Sequence, residues 1–95
     1  MSDEMELAKQ IQEEIVIVLK QSLIEGKPFL TYTELKNMTS RNIPKLGRKK
    51  MIEIIGVLKN KQIVTSYKIC NRELYYLTDL INNYKLHHDQ SARAR

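Results

Sequence analysis

IPKLGRKKMIEIIGVLKNKQIV, residues 43–64, sets a cluster of cations ahead of a periodic apolar run. Met51, Ile55 and Leu58 recur at spacings of four and three, with Ile54 alongside, and so line one face of a helix. The spacing predicts a helix over 45–60, with residue 47 as an alternative start, and Pro44 and Gly47 punctuate its approach. Arg48, Lys49 and Lys50 then crowd the end where the peptide dipoles already present partial positive charge. A cation there costs about 0.3–1 kcal/mol at low salt. Two readings stand: a polyanion lies opposite that end, or the stretch is a harmless lysine-rich turn. Gly56 costs about 1 kcal/mol relative to alanine inside a helix. It faces away from the apolar stripe, where it either admits a closely approaching partner or is simply tolerated.

Downstream of KNKQ (59–62) the apolar period changes from 3.6 to 2. IVTSYKI (63–69) and ELYYLT (73–78) are rich in β-branched and aromatic residues and flank the polar CNR (70–72). That pattern predicts a hairpin over 63–78. Upstream, Phe29 and Leu30 suit a short extended piece, and Thr31 with Glu34 matches a capping box. The box predicts a helix over 31–38 that buries Tyr32, Leu35 and Met38. The connection 39–47 is longer than the three to four residues of a tight helix-turn-helix.

Asp3 and Glu6 resemble a second capping box and predict a helix over 3–25, stopped by Gly26 and Pro28. Leu7, Ala8, Ile11, Ile15, Val18, Leu19 and Ser22 share one stripe of it. IVIVL (15–19) would suit a strand alone, but its flanks are helical in composition and period. Ile17 and Ile24 stand two turns apart on the other side, with Val16 beside them. They are either stray exposed isoleucines or a second buried face, which would mean a partner subunit. Thr78 or Asp79 caps an expected last helix over 79–88, with Leu80, Ile81, Tyr84 and His87 or His88 on one side. The tail 89–95 is expected to fray.

Ninety-five residues suffice for one domain with a single modest core. No apolar run is long enough for a membrane span, and the acidic start lacks a signal peptide's layout. Cys70 is alone, so no internal disulfide forms and a cytoplasmic setting fits. The net charge of +5 hides a division. Residues 1–25 carry six acids against two lysines, while residues 27–72 carry eleven cations against two acids. Two surfaces with different partners are implied. Catalytic chemistry finds no footing: adjacent His87 and His88 point about 100° apart on a helix, no Cys/His spacing suits zinc, and no phosphate-cradling glycine loop exists. Neither enzyme activity, cofactor nor metal is expected.

The order helix, short strand, helix, helix, hairpin over residues 7–80 resembles the winged helix-turn-helix family. Met51, Ile55 and Leu58 followed by Ile63 and Val64 match the way that family packs its recognition helix and launches its first wing strand. Gln62 replaces the glycine often seen there. The resemblance implies an α+β, mainly α winged helix-turn-helix fold with an extended N-terminal helix, a hairpin wing and a C-terminal helix. It further implies that the helix over 45–60 lies in a DNA major groove, presenting Lys45, Lys49, Ile52, Glu53, Gly56 and Asn60, with Arg48 and Lys50 at the edges. Lys68, Asn71 and Arg72 would form the wing tip, and Lys36 and Arg41 would clamp phosphates. The expected function is sequence-specific binding of double-stranded DNA by a homodimer joined through Val16, Ile17, Ile24, Leu80, Ile81 and Tyr84. A nucleoid-associated transcriptional regulator fits that description. So does a plasmid or viral centromere-binding partition protein that spreads along DNA, working with other proteins of a transcription or partition complex. A protein-interaction module is the contrasting reading, and RNA binding through Tyr67, Tyr75 and Tyr76 a weaker one.

Overall fold

The computed structural model describes residues 2–79. Along the chain run α1 (Ser2–Ile24), β1 (Leu30–Thr31), α2 (Tyr32–Ser40), α3 (Arg48–Asn60), β2 (Val64–Ile69) and β3 (Arg72–Leu77). Among the described residues these make a mainly helical α+β fold, with three helices and one antiparallel sheet of order β1-β3-β2. No helix among them is long and apolar enough to cross a membrane.

α1 buries Ile11, Ile15, Val18, Leu19 and Ser22 against α2 and α3, as its periodicity predicts. Leu7 departs from that stripe and is exposed, as are Met5, Glu6, Lys9 and Gln10, because the first turns of so long a helix overhang the core. The helix starts at Ser2, which places Asp3 inside the first turn rather than at the expected cap. At its other end Gly26 takes a left-handed φ of 91°. The Gly26 N–H then donates to the Leu23 carbonyl (2.9 Å) and the Lys27 N–H to that of Ser22 (2.8 Å). This is a Schellman closure, for which glycine is the natural residue.

α2 begins with the expected capping box: the Glu34 N–H donates to Thr31 Oγ1 (3.3 Å) and the Thr31 N–H to Glu34 Oε1 (3.1 Å). Thr31 is the cap itself, and the helix runs on through Ser40, two residues past the predicted end. Leu35 and Thr39 are buried, while Tyr32 and Met38 are only partly covered. Residues 41–47 form the connection to α3, and its length has a reason: it carries Ile43 and Leu46 into the core. Asn42 Nδ2 fastens it to Glu14 Oε2 of α1 (2.7 Å).

α3 starts three residues later than position 45. Lys45 has a left-handed φ of 66° and cannot continue a right-handed helix, and the extended Gly47 (φ −85°, ψ 161°) is the N-cap. Met51, Ile54, Ile55 and Leu58 are buried as predicted. The helix ends like α1: the Ile63 N–H donates to the Leu58 carbonyl and the Gln62 N–H to that of Lys59, both at 3.0 Å. Here Gln62 occupies the left-handed position at φ 61°. The missing glycine therefore leaves the closure intact but strained.

In the sheet, Leu30 pairs with Tyr75 and Val64 with Leu77, and all four are buried. The hairpin turn is Cys70–Asn71 alone, both at positive φ, so Arg72 belongs to β3 and pairs with Ile69. A three-residue CNR turn would have moved every pairing by one, whereas a two-residue turn with both φ positive matches strand twist. Ile63 and Thr78 flank the strands and are joined by a backbone hydrogen bond of 3.0 Å. Residues 78 and 79 are helical. The rest of the helix expected over 79–88, with Leu80, Ile81, Tyr84, His87 and His88, and the tail 89–95 lie outside the described residues.

Candidate nucleic-acid interface

The two helices of the body begin in opposite ways. α2 has a side-chain cap, an acid in its first turn, and an ion pair between Lys27 and that same Glu34. The Lys27 ammonium, and then the Thr31 N–H, hold the Glu34 carboxyl below its usual range. α3 has neither the cap nor the first-turn acid, and its one ion pair among the described residues joins Lys50 to Glu53 (3.9 Å), a turn further in. Gly47 offers no side-chain hydrogen bond, no acid lies in the first turn, and Arg48, Lys49 and Lys50 fill it. Up to four amides at such an end lack intrahelical partners. Uncapped amides and three cations together form an end suited to anions.

Arg48 is held where it is by a neighbour distant in sequence. Its guanidinium carbon lies 5.9 Å from the centroid of the Tyr32 ring, within cation–π range. Tyr32 in turn lines a concavity with Lys27, Thr31, Thr33, Glu34, Arg72 and Glu73, two cations against two carboxylates. Tyr32 thus meets the start of α3 through Arg48 and shares a concavity with Arg72 of β3, so two of the expected contact residues each neighbour the same tyrosine. The Tyr32 hydroxyl is enclosed and makes no hydrogen bond to any described residue.

Farther along α3, Lys49, Ile52 and Glu53 are exposed, and Lys50 is partly covered, 3.9 Å from Glu53. An alanine-sized side chain at Gly56 would meet nothing within 4 Å, so the domain itself does not require glycine there. The hairpin is buried at its base and exposed from Tyr67 through Glu73, which carries Lys68, Asn71 and Arg72 into solvent. Tyr67 (61% exposed) and Ile69 (47%) share the opposite face of β2 from Lys68. Tyr75 is buried and donates to Glu73 Oε2 (2.8 Å); burial first, then that carboxylate, push its phenol well above the ordinary value.

Three expected contact residues stand apart from this cluster. Lys45 precedes α3 in the connection, Lys36 is partly covered on α2, and Arg41 lines a groove with Glu14 and Glu25 of α1. Of the eleven cations between 27 and 72, nine have no carboxylate within 4 Å among the described residues. Sequence reasoning missed Tyr32 and Lys27 as parts of the site. Tyr32 has the spacing of a core residue with Leu35, and nothing local announces its contact with Arg48, sixteen positions away. Among the described residues no group of three or more His, Cys, Asp or Glu side chains could hold a metal ion. Compared with family models, curated proteins and solved structures, the chain has no significant match.

Proposed function

We propose that this chain is a winged-helix protein that binds double-stranded DNA, acting most simply as a transcriptional regulator. The helix order and the β1-β3-β2 sheet agree with that architecture, in which α3 is the recognition helix and the β2–β3 hairpin the wing. One observation carries the reading: the first turn of α3 is uncapped and tricationic, while α2 in the same domain is capped and acidic. A locally unfavourable element beside a favourable one of the same kind marks a functional constraint. DNA phosphates meet both needs of the α3 end, accepting from its amides and cancelling its charge. Arg48 and Lys49 reach backbone or guanine edges, Ile52 meets a thymine methyl, and Glu53 accepts from cytosine. Arg72 and Lys68 hold the flanking backbone.

The test is a gel-shift with duplex of arbitrary sequence at low salt, followed by selection of bound fragments. Wild-type protein retards the duplex at micromolar concentration. The Arg48→Ala/Lys49→Ala double variant fails to do so while keeping its helicity, since both side chains are exposed. Footprints separate two roles: one protected palindrome indicates a regulator, and spreading protection a partition protein. Exposed Tyr67 and Ile69 on the wing favour a second reading, a protein-interaction module. No retardation at micromolar protein selects that reading instead.

A further inference from the structure

We propose that a second copy of this chain lays its α1 antiparallel on α1, about a two-fold axis passing beside Ile17. α1 turns one side to the core and leaves Ile17 (56% exposed) and Ile24 (77%) on the other, seven residues apart. Two shallow apolar hollows border them, sharing Val16 and Ile63; Leu58 floors the first and Leu77 the second. The neighbours of this strip are already engaged with the body: Gln12 accepts from Lys61 Nζ (3.2 Å) and Glu14 from Asn42 Nδ2 (2.7 Å). Glu13 and Lys20 are not. Glu13 lines the first hollow, and Lys20 lines the second together with Asp79; neither Glu13 nor Lys20 has an ion-pair partner within 4 Å among the described residues.

The charges identify the occupant. On a helix, Glu13 lies about 6 Å before Ile17 and about 40° to one side; Lys20 lies about 4.5 Å after it and about 60° to the same side. A two-fold axis perpendicular to α1 reverses the helix direction while keeping that side. It sets Glu13 beside Lys20 of the partner subunit with about 1.5 Å of axial offset, and the reciprocal pair forms by symmetry. The two Ile17 side chains meet at the centre. Parallel pairing would oppose like charges, and an unrelated partner would have no need of a strip complementary to itself. The inference does not depend on the DNA reading.

Sedimentation velocity of the full chain across the micromolar range tests it. The wild type sediments as a dimer and Ile17→Glu as a monomer. Glu13→Lys and Lys20→Glu each weaken the dimer about tenfold or more, because each swap creates two like-charge contacts. Glu13→Lys/Lys20→Glu together return the affinity to near the wild-type value, a rescue that misfolding cannot imitate. A wild type that stays monomeric overturns the proposal and leaves the face to residues 80–95 or to another protein. So does a double swap that fails to restore the dimer. Retardation of nonspecific duplex, measured on the same variants, reports separately on the DNA reading.

Discussion

Position 49 carries a charge that its own helix opposes. Lys49 is exposed in the first turn of an uncapped helix, so replacing it changes little beyond electrostatics. Lys49→Glu reverses the interaction with the helix dipole and relieves repulsion from its cationic neighbours. It is expected to raise the unfolding free energy by about 1 kcal/mol at low salt while abolishing DNA binding, as chemical denaturation and gel-shift would report. A variant that loses both stability and binding would contradict this account of the α3 end. Gln62 is a second residue held against its preference. A left-handed conformation costs a non-glycine residue about 1–2 kcal/mol, partly offset by the entropy that glycine loses on folding. Gln62→Gly should therefore stabilise the domain by about 1 kcal/mol, with the Schellman bonds to Leu58 and Lys59 unchanged. Destabilisation would show that the Gln62 side chain contributes more than its backbone costs.

Secondary structure was legible from most local signals, the Asp3–Glu6 pair being an exception because α1 already starts at Ser2. The 3.6 period of Ile11, Ile15, Val18 and Leu19 specifies α1, and the Thr31–Glu34 box marks the start of α2 to the residue. What escaped were features set by contacts distant in sequence or by the sign of φ. Ile43 and Leu46 reach the core from a connection without a period, Lys45 turns left-handed with no glycine to announce it, and Cys70–Asn71 forms a turn usually written with Asn-Gly. The candidate site was legible in part: its cations were visible as a cluster, but the contact of Arg48 with Tyr32 and the concavity that Tyr32 shares with Arg72 depend on tertiary packing.

The hairpin supplies a pH prediction. The Tyr75 phenol is raised in the folded protein, so the neutral form is favoured there while the unfolded chain ionises near pH 10. Its contribution is complete below about pH 10 and is lost as pH climbs toward the folded value, with a slope of at most about 1.4 kcal/mol per unit. Denaturation midpoints of the wild type should fall more steeply above pH 10 than those of Tyr75→Phe. Parallel curves would mean that the phenol is not insulated by the hairpin.

At the scale of the whole molecule, charge divides along the chain. Residues 1–25 sum to −4 and residues 26–95 to +9, and α1 lies across a body that holds most of the cations. The division is not a clean split of faces, since Arg41 and Lys61 reach toward α1. The proposed DNA surface is accordingly limited to the α3 start and the β2–β3 hairpin. With α1 pairing two copies, two α3 helices would be related by a two-fold axis, matching a palindromic site. The central claim is that this cationic surface is neutralised by nucleic-acid phosphates, and counterion release measures that directly. The five cations of that surface, Arg48, Lys49, Lys50, Lys68 and Arg72, predict that the logarithm of the association constant for duplex falls with log salt at a slope of about −4 to −5 per bound protomer. A slope near zero, with binding retained at high salt, would contradict it.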